Sequence, residues 1–186
     1  GFSTILTDPD LPSGTDRIAA ANETLEAERI INVQADEPLV TRSQILALAE
    51  AIEKPKSDMS TLATPIDCSE DFQDSNVVKV VRDVNGFAMY FLRAPIPYPR
   101  DDFDALEKKA LPLFRHLGIY GYTAEFLRSF TSFPTGDLEQ IEKLEQLRAL
   151  ENGRRIAVVL TDELSIGVDT PEDLKRVAPF LIADGA

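Results

Sequence analysis

In Val33-Gln34-Ala35-Asp36-Glu37-Pro38 an apolar run ends abruptly in two acids and a proline. A carboxylate just past the C-terminal end of a buried strand stands where α/β sheets place their ligands. Asp36 could hold a divalent cation there against phosphate oxygens. Equally, it could cap the turn that follows, a common use of acids. Asp169, in Ser165-Ile166-Gly167-Val168-Asp169-Thr170-Pro171-Glu172-Asp173-Leu174, precedes a helix start and has the same two readings, cation ligand or helix cap. Jointly, two acids at the ends of separate strands could form the carboxylate side of a magnesium site. Leu11-Pro12-Ser13-Gly14-Thr15-Asp16-Arg17 offers backbone N–H groups at a helix N-terminus, freed by Gly14, with Arg17 one turn in. That arrangement suits a nucleotide or phosphate, and it is also how an ordinary cap looks.

Two further segments join them. In Phe114-Arg115-His116-Leu117-Gly118-Ile119-Tyr120-Gly121-Tyr122, strand alternation puts His116, Gly118 and Tyr120 on one side. A lone histidine is more often structural than catalytic, but this one shares its face with a tyrosine and with a glycine that leaves room for a ligand. In Leu144-Glu145-Gln146-Leu147-Arg148, Glu145 and Gln146 point off a leucine stripe, either toward a ligand or simply toward solvent.

Strands and helices alternate around these segments. Residues 1–7 read as a strand, 15–26 as a helix, and the β-branched run 29–33 as a buried parallel strand. Thr41-Arg42-Ser43-Gln44 has capping-box spacing and starts a helix to about Lys54, before a strand over 60–66. This spacing predicts βαβ crossovers and a mostly parallel sheet. Asn85-Gly86 between two β-rich runs predicts a hairpin over 77–92. Pro95, Pro97 and Pro99 make an extended segment, and 101–112 read as polar and mobile. A strand over 113–122 and a helix over 123–130 follow. One helix is predicted over 137–151, with Leu138, Ile141, Leu144, Leu147 and Leu150 on one face and Gly153 as its stop. After a strand over 155–160, Thr170-Pro171 opens the last helix. The whole reads as a single domain over 1–186 with a hairpin and arm at about 77–112.

The composition narrows the partners. Of 186 residues, 44% are apolar and 27% charged, ordinary values for a folded domain with a proper core. A net charge of −13 excludes broad electrostatic binding to duplex nucleic acid or anionic lipid, but not a small anion in a local basic pocket. One cysteine, Cys68, excludes an internal disulfide framework and fits a reducing compartment such as the cytoplasm. One histidine excludes multi-histidine metal sites. No stretch has the apolar length of a membrane span, and no leader pattern opens the chain. Phe87, Tyr90, Phe91 and Tyr98 form more aromatic surface than a small hairpin can cover, which predicts a homodimer through this arm.

Taken together, SGTDR, VQADEP, FLRAPIPYPR, FRHLGIYGY, LEQIEKLEQLR and GVDTPEDL resemble the 3-deoxy-manno-octulosonate cytidylyltransferase family, also called CMP-KDO synthetases. The resemblance runs from about Gly1 to about Leu181. It implies a Rossmann-like nucleotidyltransferase sheet flanked by helices. It also implies a magnesium-dependent transfer of CMP from CTP to the eight-carbon sugar acid KDO, for lipopolysaccharide biosynthesis. By resemblance Asp36 and Asp169 hold magnesium and carry the catalysis, while Gln34 and Ser13, Gly14, Thr15, Asp16 and Arg17 contact the cytidine. Arg93, His116, Tyr120, Glu145 and Gln146 contact the sugar acid, and a guanidinium such as that of Arg93 can grip a carboxylate bidentately. The family opens with a strand and a phosphate-wrapping loop rich in Arg, Lys, Gly and Ser, which nothing here matches. The resemblance therefore implies an N-terminally truncated member, weak in CTP binding and inactive as given. Two other readings stand beside it, a sialic-acid-type cytidylyltransferase and a non-catalytic remnant that dimerises or binds sugar.

Overall fold

The computed structural model describes residues 3–98, 100, 113–163, 166–168 and 170–183. Among these residues six strands form one sheet, flanked by helices on both faces. Strands β1 (Arg29–Asn32), β2 (Met59–Pro65), β3 (Lys79–Arg82), β4 (Ala88–Leu92), β5 (Phe114–Thr123) and β6 (Ile156–Leu160) pair in the order β4-β3-β5-β2-β6, with β1 also on β5.

The α/β class is as expected, but the sheet is mixed rather than mostly parallel. β2 and β6 pair in parallel, whereas β1–β5, β2–β5, β3–β4 and β3–β5 are all antiparallel. The expected strand–helix–strand unit is present, since β1 and β2 run the same way and the helix α2 (Arg42–Ile52) connects them; the short helix α3 (Ser69–Gln73) follows β2. The later strand β5 has entered between the two, opposite in direction to both. Local spacing cannot reveal an insertion made by a segment more than fifty residues downstream. Residues 3–7 also differ from expectation: they are irregular, and Leu6 is almost fully exposed. An extended run becomes a strand only when a neighbour takes its backbone hydrogen bonds, and among the described residues none does. The far flank of β1 likewise has no pairing partner among them.

Alternation divides the core into two layers. Met59, Ala63, Tyr122, Ile156 and Val158 face one way, under α1 (Gly14–Leu25), α4 (Ala124–Ser132) and the helices at 137–151. Leu62, Leu117 and Ile119 face the other way, against Leu48 of α2. Side chains cap the helices as the sequence suggests. Ser13 accepts from Asp16 N at 3.2 Å, Thr41 and Gln44 form a reciprocal capping box, and Thr170 and Asp173 do the same before α7 (Pro171–Ala183).

The single helix expected over 137–151 is two helices, α5 (Asp137–Glu142) and α6 (Leu147–Glu151). Lys143 adopts a left-handed φ of 55° and stops the first. The leucine stripe therefore splits: Leu144 and Leu147 are buried, while Ile141 is 75% exposed. The hairpin forms as predicted, with Gly86 at φ 84° and Asp83 Oδ1 accepting from the N–H groups of Asn85 and Phe87. Its aromatics are better covered than expected: Phe87 and Phe91 are buried within the protomer, leaving Met89, Ile96 and Tyr98 exposed. The predicted polar stretch 101–112, Pro99 and Asp169 lie outside the described residues.

Gly121 lies where β5 is flanked by both β1 and β2. A Cβ there would stand 2.5 Å from Ser60 Oγ and 2.6 Å from Ile52 Cδ1. Ser60 cannot swing aside freely, because its hydroxyl donates to Leu48 O at 2.9 Å. Gly121→Ala should therefore cost about 1–3 kcal/mol of stability by overpacking, seen as a lower urea midpoint with an unchanged m-value.

Candidate functional site

The site is assembled on β5. Across β2 the register steps from Thr61–Tyr120 to Leu62–Leu117, so Gly118 and Ile119 form a bulge. In a regular strand residues four apart are separated by ~13 Å; here the His116 and Tyr120 rings lie 5.5 Å apart. Tyr120 and Tyr122 continue the row at 6.1 Å, and Phe91 meets His116 edge-on at 4.9 Å.

Thr61, fully buried, fills the bulge. Its Oγ1 lies 2.9 Å from His116 Nε2, 3.1 Å from Leu117 O and 2.9 Å from Ile119 O. Burial pushes the His116 imidazole down to about 3, so the ring is neutral near pH 7. Burial also raises the Tyr120 phenol well above its ordinary range, reinforced by Tyr122, Glu145 and Glu37. Tyr122 is raised as well, chiefly by burial, while bonds to Thr15 and Asn32 oppose the shift.

Three loops converge on this row. From α1, Thr15 Oγ1 donates to Glu145 Oε2 at 2.6 Å. The break between α5 and α6 makes that contact possible, because it turns Glu145 and Gln146 inward instead of toward solvent. Gln146 is 4% exposed, and its Nε2 and Glu145 Oε1 are buried without a hydrogen-bond partner among the described residues. Arg148, held by Glu139 at 2.6 and 2.7 Å, brings its Nη2 to 3.9 Å from that Glu145 oxygen. From the end of β1, Glu37 Oε1 lies 3.9 Å from where a Cβ on Gly118 would stand and 3.8 Å from the equivalent point on Gly167. Asp36 O accepts from Val168 N at 2.8 Å, which ties the QADEP loop to the GVD segment. Alongside lies a groove of about 590 Å³, whose lining includes Ser13, Asp16, Lys143, Glu145 and Arg148.

Thus Thr15, His116, Tyr120 and Glu145 form one neighbourhood, with Gln146 buried next to Glu145 in the chain, and Asp36 stands exposed at its edge beside Val168. Gln34 is exposed in the same loop, its carbonyl accepting from Glu37 N at 3.1 Å. Ser13 is occupied as a cap, and Gly14 has open space where a Cβ would stand, so no steric demand explains the glycine. Arg17 is engaged with its own loop. Its two terminal nitrogens donate to Thr7 Oγ1 and to the carbonyls of Asp8, Pro9 and Leu11 at 2.9–3.5 Å, so it braces its own loop. Arg93 spends Nε on Glu142 O at 2.8 Å and Nη1 on Ser75 O at 3.0 Å. A guanidinium has five N–H groups, so these bonds fix its plane without exhausting its donors. Beneath it the buried Lys79 ammonium donates to Asp74 O, Val77 O and Arg93 O at 2.6–2.8 Å.

Sequence reasoning missed Thr61, Lys79 and Glu37. A threonine inside an apolar strand, or a lysine opening one, carries no pattern that separates it from its neighbours. Glu37 stood in a quoted motif, but its position against two glycines depends on chain contacts far apart in sequence.

Among the described residues no group of three or more His, Cys, Asp or Glu side chains is placed to hold a metal, and no helix is long and apolar enough to cross a membrane. The cytidylyltransferase family matches residues 1–156. The 3-deoxy-manno-octulosonate cytidylyltransferase of Syntrophotalea carbinolica is 49% identical over 180 residues, covering 95% of this chain and 72% of that protein. The protein of the same name from Thermodesulfovibrio yellowstonii is 45% identical over 183 residues, again covering 72% of its length. The solved CMP:2-keto-3-deoxy-manno-octonic acid synthetase complexed with CTP superposes with a TM-score of 0.86 at 32% identity, over 97% of this chain and 72% of the other. A Bacillus anthracis glucose-1-phosphate thymidylyltransferase, at 11% identity and a TM-score of 0.58, shares the fold alone.

His116 yields a pH prediction. Its folded-state value, about 3, lies below the ordinary 6.5. Its contribution to stability is therefore complete above pH 6.5 and is lost as pH falls toward 3, reaching about 2 kcal/mol by pH 5. In urea titrations His116→Gln should flatten the fall in stability between pH 7 and 5 by that amount. A variant that loses stability as steeply as the parent would show that the buried ring is not what titrates.

Proposed function

The chain belongs to the 3-deoxy-manno-octulosonate cytidylyltransferase family, and on that footing we propose that it transfers CMP from CTP to the anomeric hydroxyl of KDO, releasing pyrophosphate. The single observation that carries this reading is the convergence on β5. The α1 start reaches Glu145 through Thr15, and Asp36 is bonded to the GVD segment beside the same row.

Attack of a hydroxyl on the α-phosphorus needs little covalent help from a protein, so positioning and charge neutralisation do most of the catalytic work. The N-terminus of α1 offers backbone N–H groups to the nucleotide, with Thr15 fixed by Glu145. Glu145, Gln146, His116 and Tyr120 offer a largely buried polar wall to the sugar acid, in which Gln146 Nε2 and Glu145 Oε1, without a hydrogen-bond partner among the described residues, suit hydroxyls. Arg93, with its plane fixed, is the partner for the carboxylate.

Magnesium fits the donors on hand. Asp36 presents an exposed carboxylate, a hard oxygen ligand, and its carbonyl is bonded to Val168, the residue before Asp169. Asp36 and Asp169 would hold the ion, which when bound would neutralise phosphate charge and acidify the attacking hydroxyl. We place the reaction in the cytoplasm and the product in lipopolysaccharide assembly. The chain acts as a homodimer, with Met89, Ile96 and Tyr98 of the hairpin and arm supplying the apolar contact.

In the full-length enzyme, Asp36→Asn and Asp169→Asn should each abolish magnesium-dependent pyrophosphate release from CTP plus KDO while leaving the far-UV spectrum and urea midpoint nearly unchanged. Turnover retained with unaltered magnesium dependence would reduce either carboxylate to a cap. A parallel assay with sialic acid in place of KDO should give no release above background. Light scattering at micromolar concentration should report a dimer, and Tyr98→Asp together with Met89→Asp should shift it toward monomer. A wild-type monomer would remove the arm from the argument.

A further inference from the structure

The environment of Thr61 dictates which nitrogen of His116 carries the proton. Thr61 Oγ1 has three polar neighbours, the carbonyls of Leu117 and Ile119 and His116 Nε2, at 2.9–3.1 Å. A carbonyl cannot donate, and a hydroxyl has one proton. Were that proton given to the imidazole, both carbonyls would face bare oxygen lone pairs at hydrogen-bond distance in a fully buried site. The hydroxyl must therefore donate to the carbonyls, and the remaining bond can form only if His116 Nε2–H donates to Oγ1. In the neutral ring Nδ1 then carries the lone pair.

We infer that Thr61 is a positioning residue: it holds His116 as the Nε2–H tautomer and leaves Nδ1 as a hydrogen-bond acceptor for a hydroxyl of the sugar acid. The second half rests on the reading that His116 faces the sugar acid. An acceptor nitrogen accepts a hydrogen bond from a hydroxyl and repels a carboxylate, so His116 discriminates the hydroxyl pattern of the sugar and leaves its acid group to a cation. The bulge is part of the device, because there the carbonyls of Leu117 and Ile119, on either side of Gly118, both reach one hydroxyl.

The chain has one histidine, so nitrogen NMR of ¹⁵N-histidine-labelled protein reads this ring alone. Wild type and Thr61→Ser, which keeps the hydroxyl, should both show Nε2 protonated and Nδ1 bare. Thr61→Val, close in shape but without the hydroxyl, should lose that uniform pattern. It should also raise the KM for KDO about three- to tenfold, the worth of one hydrogen bond, while the KM for CTP stays put. Protonated Nδ1 in the wild type, or an unaltered pattern in Thr61→Val, overturns the role of Thr61. An altered tautomer with no change in the KM for KDO overturns the placement of His116 against the sugar acid instead. Thr61→Ser guards against misreading instability: if it folds as the wild type does and yet shows the wrong tautomer, the inference fails.

Discussion

β5 lies between β1 and β2 and runs against both, and the rest of the architecture depends on that insertion. Its ten residues form the floor of the site, its bulge brings His116 and Tyr120 together, and its far end starts the helix α4. Ladder hydrogen bonds on both edges leave β5 no freedom to slip, since a one-residue shift would turn every side chain to the opposite face. The bulge is tolerated because Thr61 satisfies the carbonyls that it displaces. A buried carbonyl left bare would cost on the order of 1–3 kcal/mol.

The electrostatics of the site follow from burial more than from charge. His116, Tyr120 and Tyr122 are all held neutral by the surrounding protein, and the nearby carboxylates of Glu145 and Glu37 push the Tyr120 phenol further in that direction. The cations near the site are largely braces. Arg17 holds its own loop through backbone carbonyls, and Lys79 gathers three carbonyls below Arg93. In a chain of net charge −13 this is an economical use of few cations: each orders a backbone turn that presents neutral donors and acceptors.

The break at Lys143 shows how local order yields to tertiary contact. Periodicity alone favours one continuous helix over 137–151, and the leucine spacing supports it. Arg93 binds the backbone of Glu142, Glu142 Oε2 accepts from Arg93 N, and Thr15 takes Glu145. Those bonds, made by residues some fifty and one hundred and thirty positions away, outweigh the one or two helical hydrogen bonds given up at the break. The result buries Gln146 and draws Glu145 partly inward, where a regular helix would turn both to water.

Local chemistry made much of this protein readable from the amino-acid order. Ser13, Thr41 and Thr170 cap helices because their side chains satisfy N–H groups within three residues, and Asn85-Gly86 turns the hairpin because glycine accepts a positive φ. The motifs around Asp36, His116 and Glu145 were legible as a set, because together with the others they carry the likeness to the cytidylyltransferase family that the comparisons show. Tertiary structure alone decided the direction of the strands, since antiparallel and parallel partners are chosen by which segment arrives beside which. It also decided that Arg17 braces a loop, that Thr61 governs the histidine, and that Phe87 and Phe91 are covered by their own protomer. Each of these depends on contacts between residues far apart in the chain. A side chain's partners across such a distance are set by the packing of the whole sheet, and no local pattern of spacing or charge encodes them.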